Sequence, residues 1–178
     1  METIPEETVA GLEATTRDAQ TVTQEGELVQ ELLDGVRIRA ATTQLDERGS
    51  VCEIYSPDWD FTDEPVVWIY QATIRPGQIK GWVLHLEQDD RLFFSTGDVK
   101  VVLYDARPDS PTFGRLNVHT FGEAHRALLR IPAGVYHALQ NVGREDALFV
   151  NLPTKPYRHE DPDKYRLPLD TPEIPYRL

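Results

Sequence analysis

From Val36 onward the chain alternates short apolar runs with clusters of Gly, Pro, Asp and Asn, and the runs are rich in β-branched and aromatic residues. This pattern predicts strands over 36–41, 51–55, 66–74, 79–86, 91–95, 99–104, 116–121, 127–131, 135–140 and 147–152. The stretch LFFSTGDVKVVLYD reads as the clearest hairpin, because Thr96, Gly97 and Asp98 supply turn residues between two strand-like runs. Many short strands without long amphipathic helices predict an all-β antiparallel sandwich or barrel. Ahead of them, LVQELLDG reads as a short helix. Residues 1–26, dominated by Glu, Thr and Gln, read as a flexible or weakly helical arm before a single domain over 27–178. The closing stretch PTKPYRHEDPDKYRLPLDTPEIPYRL is broken too often by proline for a ladder, so it is expected to wrap the outside as ordered loop.

Composition narrows the partners. A chain of 178 residues is the size of one domain with a real core. Its 30 acidic against 18 basic residues give a formal charge of -12, which opposes a nucleic-acid backbone or an anionic membrane. Neither is expected as a partner. A small anionic ligand then needs local basic groups. The single Cys52 makes no internal disulfide and no multi-cysteine metal site, which fits a reducing compartment. The start METIPEETVAGLEATTRD lacks the basic and apolar stretches of a secretory signal, and no window approaches a membrane span, so a cytoplasmic protein is expected.

Candidate chemistry centres on RIPAGVYHALQN, where a Pro132-Ala133-Gly134 corner precedes a strand carrying His137. Pro132, Gly134, His137 and Asn141 resemble the second motif of the cupin superfamily, small jelly-roll β-barrels that hold ligands inside the barrel. In metal-binding cupins the first motif supplies two His and a Glu. The comparable place here, VLHLEQDDRLFFSTG, has His85, then Glu87 at the second His and Arg91 near the Glu. Arg cannot ligate a cation. No metal and no other cofactor is therefore expected, with a three-ligand set of His85, Glu87 and His137 as the alternative.

A narrower resemblance runs from about Leu32 to the end. LLDGVRIRAATTQLDERGSVCEIY, VLYDARPDSPTFGR and RIPAGVYHALQN follow in an order similar to the dTDP-4-keto-6-deoxyglucose 3,5-epimerases of dTDP-rhamnose biosynthesis. The resemblance implies a metal-free cupin homodimer that removes protons beside a sugar ketone. It implies His85 as the base and Asp170 as the carboxylate that orients it. Arg91 then stands where the family has a Lys at the enolate or phosphates, His137 is a pocket histidine, and Arg48 reaches the diphosphate. Glu53 and Gln71 match further pocket positions. The Arg that precedes the family's base is replaced by Trp82 or approximated by Lys80. The family's tyrosine acid falls near Phe149 and Val150, which donate no proton, leaving Tyr136 or Tyr157 as substitutes. The expected function is an epimerase or isomerase acting on a nucleotide-linked 4-keto-6-deoxysugar. The alternatives are a non-catalytic sugar-nucleotide-binding cupin and a metal-dependent cupin isomerase or oxygenase.

Overall fold

Apolar side chains that alternate along short strands close two sheets around one core. The structure, a computed structural model, describes residues 4–5, 8–25, 29 and 31–178. The chain divides into two compact units, Met1–Glu31 and Leu32–Leu178. The first contains a short 3-10 helix, Leu12–Ala14, that buries none of its residues. Of the helix expected in LVQELLDG, Leu28 and Gln30 lie outside the described residues. Residues 31–36 are not helical: Val36 N–H donates to the Leu33 carbonyl (3.0 Å), making a turn into the first strand.

The described strands of the second unit are β1 (Arg37–Ala40), β2 (Thr43–Asp46), β3 (Gly49–Cys52), β4 (Tyr70–Ile74), β5 (Ile79–Leu84) and β6 (Asp90–Thr96). They continue with β7 (Val99–Asp105), β8 (Leu116–Phe121), β9 (Ala127–Ile131), β10 (Val135–Asn141), β11 (Ala147–Asn151) and β12 (Tyr165–Arg166). One sheet runs β1-β9-β6-β11-β4, the other β12-β5-β10-β7-β8, and β2 with β3 forms a separate hairpin. This is the expected all-β jelly-roll sandwich. Leu92 and Phe94 of β6, Val101 and Leu103 of β7 and Leu129 of β9 meet in the core between the sheets. The opposite faces are covered too. Phe93 packs with Phe61, Leu128 and Leu152 outside the first sheet, and Trp82 with Val102, Ala138 and Ile174 outside the second. Strands covered on both faces read as continuous apolar runs, which is why β6 and β7 lack a clean two-residue alternation in the sequence.

Several expectations are corrected. LFFSTGDVKVVLYD is not a hairpin: β6 pairs with β9 and β11, whereas β7 pairs with β10 and β8. The turn at Gly97 is a corner where the chain crosses from one sheet to the other. Gly97 has φ +74° there, and a Cβ would lie 2.6 Å from the Ala147 Cα. Residues 66–69 lie outside β4, and the β2–β3 hairpin extends further toward the amino terminus than the strand expected at 51–55. The carboxy-terminal segment does wrap the second sheet, but it also contributes a two-residue ladder, β12 on β5. No helix among the described residues is long and apolar enough to cross a membrane.

Candidate active site

Strand phase decides which polar side chains enter the sandwich. On β10, His137 lies between inward-facing Val135 and Leu139, and on β6, Asp90 shares the inward face of Leu92 and Phe94. Tyr70 begins β4 on the face of Ala72 and Ile74. His85 lies just past the end of β5, in a turn held by two distant segments. Its carbonyl accepts from Gly134 N–H (2.8 Å), and its Nδ1 contacts the Asp163 carbonyl. The Asp163 carboxylate accepts the backbone N–H groups of Leu86 (2.8 Å), Glu87 (2.8 Å) and Gln88 (3.1 Å). The Pro132-Ala133-Gly134 corner thus fixes both histidines, starting the His137 strand and anchoring the His85 turn. Gly134 has φ +82°, and a Cβ there would sit 2.4 Å from Arg107 Cγ, so glycine is required.

These groups line an inner cavity of about 180 Å³ whose wall includes Tyr70, Lys80, His85, Asp90, His137 and Lys164. Tyr70, His85 and Lys164 also line an outer cavity of about 640 Å³, so the two open onto the same side chains. The outer wall is aromatic and of mixed charge, with Glu87 and Asp163 beside its cations. Trp68 sits tilted between Tyr70 and Tyr157, with ring centroids 4.7 Å and 5.6 Å away, and Lys155, Arg158 and His159 also line this cavity.

The buried centre is a triad of two imidazoles and a carboxylate. Asp90 Oδ2 lies 3.4 Å from His85 Nε2 and 3.5 Å from His137 Nε2, and the two rings stack with centroids 5.8 Å apart. Asp90 Oδ1 accepts from Gln88 Nε2 (3.2 Å) and Asn151 Nδ2 (3.0 Å). Asn151 Nδ2 also donates to the Tyr70 hydroxyl (2.9 Å), tying the phenol to the same network. Burial works to lower the His85 pKa, but the Asp90 carboxylate beside the ring and the Asp163 carbonyl outweigh it, so the pKa is raised. His137 lacks comparable support, and burial pushes it down to about 4 against the Asp90 charge. Asp90 itself is held well below the ordinary carboxylate range: burial opposes its charge, and the nearby His85 and His137 rings and the Asn151 hydrogen bond prevail. Burial, then the Asp90 charge, raises the Tyr70 pKa. Desolvation, then Arg166, lowers that of Lys164. Among the described residues, His85, Asp90 and His137 bring three donor atoms within 4.8 Å of one another, a set able to hold a metal ion.

Of the residues expected at the site, His85, His137 and Lys80 line the inner cavity. Asp170 is exposed and lines a different cavity beside Thr171 and Tyr176. The carboxylate at His85 is Asp90, and the carboxy-terminal residue that holds the ring is Asp163. Arg91 points to the opposite face of β6 from Asp90. It is 0% exposed, with its guanidinium donating to the carbonyls of Leu152, Glu64, Pro65 and Pro153. Trp82 is buried under the carboxy-terminal segment, on the outer side of its sheet. Gln71 is exposed, alternating with inward Tyr70 and Ala72. Glu53 is exposed, and Arg48, with a side chain 82% exposed, pairs with Asp46 at 2.5 Å in the β2–β3 hairpin. Glu87 does not join the histidines: Arg158 grips it in two bonds of 2.9 and 3.1 Å at the outer cavity. Tyr136 packs with the Trp82 cluster, and Tyr157 reaches the outer cavity alone of the two substitutes considered. Asp90, Tyr70, Asn151, Asp163 and Lys164 were not anticipated. The signal available for Asp90 was its even spacing with Leu92 and Phe94.

A family model described as dTDP-4-dehydrorhamnose 3,5-epimerase matches residues 30–175. A probable low-salt glycan biosynthesis epimerase, Agl13 of Haloferax volcanii, is 38% identical over 137 residues, 76% of this chain and 87% of that protein. The spore coat polysaccharide biosynthesis protein SpsL of Bacillus subtilis is 34% identical over 145 residues, 80% of this chain and 94% of the other. Among solved structures, a dTDP sugar isomerase from Desulfovibrio desulfuricans superposes with a TM-score of 0.76 at 30% identity, covering 81% of this chain and 90% of that one.

Proposed function

Because the chain belongs to the dTDP-4-dehydrorhamnose 3,5-epimerase family, we propose that it epimerises a nucleotide-linked 4-keto-6-deoxysugar, with His85 as the base. The observation that carries this reading is the His85 environment: Nδ1 rests on the Asp163 carbonyl and Nε2 faces the cavity beside Asp90. The carbonyl contact selects the Nδ1–H tautomer, leaving the Nε2 lone pair for a sugar C–H proton, and Asp90 raises its proton affinity. As that proton moves to Nε2, the C–H electron pair forms the enolate and its charge passes to the ketone oxygen. The Lys164 ammonium, with neutral His137 nearby, offers the positive and donating groups that stabilise such an oxyanion.

Tyr70 supplies the acid role. Its oxygen accepts from Asn151, so its own proton is available to return to the carbon from the β4 side, which inverts the centre. Transfer of that proton to carbon discharges the enolate and leaves a phenolate and a protonated His85; exchange with bulk water through the outer cavity returns a proton to the phenolate and takes the substrate proton from His85. The outer wall suits a flat base against Trp68 and Tyr157, and an anionic diphosphate can compete with Glu87 for Lys155 and Arg158. The same proposal places the protein in the cytoplasm as a homodimer, with exposed Leu45 and Val51 of the β2–β3 hairpin as apolar surface for a second copy.

Incubation with dTDP-4-keto-6-deoxyglucose in deuterated water is expected to incorporate deuterium beside the ketone. His85→Ala is expected to lower exchange by about 100- to 10,000-fold. Tyr70→Phe is expected to retain exchange while losing net inversion. A folded wild-type protein that exchanges no proton of any nucleotide-linked 4-keto sugar overturns the reading.

A further inference from the structure

We propose that His85, Asp90 and His137 form a binding site for a divalent transition metal ion of the zinc class, which competes with the keto sugar for the inner cavity. The competition rests on the epimerase reading above, whereas the binding itself does not. Two imidazoles and a carboxylate are the donor types that suit zinc-like ions, and they leave a coordination position open toward the cavity. Magnesium and calcium, which require mostly oxygen donors, are poorly served by this set.

The distances favour an ion over a direct pairing. Charge-assisted N–H to carboxylate bonds close to about 2.7–2.9 Å. The two separations from Asp90 Oδ2 are instead 3.4 and 3.5 Å. Ligand atoms held about 2.1 Å from a tetrahedral ion lie about 3.4 Å apart, so both Asp90 edges already have the span that such an ion sets.

Each ligand is also oriented from behind. The Asp163 carbonyl takes Nδ1 of His85, the Val135 carbonyl lies 3.4 Å from Nδ1 of His137, and Gln88 with Asn151 occupies Oδ1 of Asp90. In all three, the atom left over is the one that faces the common centre, which is how outer partners aim metal ligands. The donors come from β6, β10 and the end of β5, so the two sheets hold them rigidly. All three residues are buried, which limits competition from bulk water. Lys80, Lys164 and Arg166 on the same wall oppose a cation. They restrict the site to ions that gain strongly from bonding to imidazole nitrogen. An ion on His85 Nε2 occupies the lone pair that would accept the substrate proton, so loading stops exchange.

Chelator-stripped protein is titrated with Zn²⁺ by calorimetry and with Co²⁺ by visible absorption. The expected result is one ion per chain and the intense visible bands of four-coordinate Co²⁺. His137→Ala and Asp90→Asn are each expected to weaken Zn²⁺ binding more than about 100-fold, since even loss of an outer partner costs 10- to 100-fold. His125→Ala, at an exposed histidine, is expected to leave binding unchanged. Absence of saturable binding to the wild type overturns the proposal, as does equal loss in His125→Ala or no loss in His137→Ala. Where circular dichroism shows a ligand variant unfolded, the Co²⁺ spectrum of the wild type decides, and weak six-coordinate bands count against the site. Both readouts need no substrate, so a failed exchange assay and a failed metal site are told apart.

Discussion

Asp105 ties the connection between β7 and β8 to one buried carboxylate. Its side chain is 0% exposed and accepts from Arg107 Nε (2.8 Å) and Nη2 (2.8 Å), Ser110 Oγ (2.5 Å) and Thr112 Oγ1 (2.6 Å). Burial opposes its charge, but the Arg107, Ser110 and Thr112 bonds prevail and hold its pKa below the ordinary carboxylate range. A carboxyl with a lowered folded-state pKa contributes stability that is complete above its unfolded value, about 4, and is lost as pH falls through the folded value. Asp105→Asn is therefore expected to cost about 3 kcal/mol at pH 7. The gap from the wild type should narrow below about pH 4, as read from urea midpoints at pH 7 and pH 3. A gap independent of pH would show that the carboxylate charge is not what holds the loop. The segment DARPDSPTFG, which carries much of the family resemblance, thus does structural work. At the site, His85 and His137 were legible because each follows a recognisable motif. The partner carboxylate was not, because Asp89, Asp90 and Arg91 are adjacent and a strand's two-residue period leaves its phase unstated. A slip of one residue exchanges Asp90 for Arg91 in the cavity. Asp170 and Asp163 differ in nothing that local turn chemistry reports, and only the path of the carboxy-terminal segment brings Asp163 to His85.

The carboxy-terminal element joins the site to the fold. β12 pairs Tyr165 with Leu84 and Arg166 with Val83, immediately before His85, and the chain then lays Ile174 over Trp82, Val102 and Ala138. Ile174 is 3% exposed although it sits among prolines. Truncating it removes buried methyl groups and leaves a gap above Trp82, so Ile174→Ala is expected to lower stability by about 2–4 kcal/mol in urea unfolding. A loss below about 0.5 kcal/mol, the range of ordinary surface changes, would mean that the segment does not cover the sheet in solution. The strands were largely legible, since apolar runs bounded by Gly, Pro and Asp mark them wherever they pair. Their partners were not. Thr96-Gly97-Asp98 has good hairpin chemistry, yet β6 and β7 each gain two neighbours by separating into opposite sheets, a choice made by contacts far away in the chain.

At the scale of the molecule, the chain has a formal charge of -12, whereas its cavity walls carry Lys80, Lys155, Arg158, Lys164 and Arg166 against Glu87, Asp90 and Asp163. A nucleotide sugar carrying a diphosphate is repelled at long range and attracted at short range. Salt separates the two effects by distance. Raising ionic strength from 0.01 to 0.15 M shortens the screening length from about 30 Å to about 8 Å, which removes much of the whole-molecule repulsion while sparing contacts of a few ångströms. At 1 M the length falls to about 3 Å, and the local attraction is screened as well. The apparent second-order rate constant kcat/KM is therefore expected to rise or hold level between 0.01 and 0.15 M and then to fall toward 1 M. Lys164→Gln should flatten the fall, because it removes a cation shared by both cavities. A steady decline from the lowest salt would mean that the cavity cations dominate the field out to the distance of encounter, and that the net charge plays no part in how the ligand arrives.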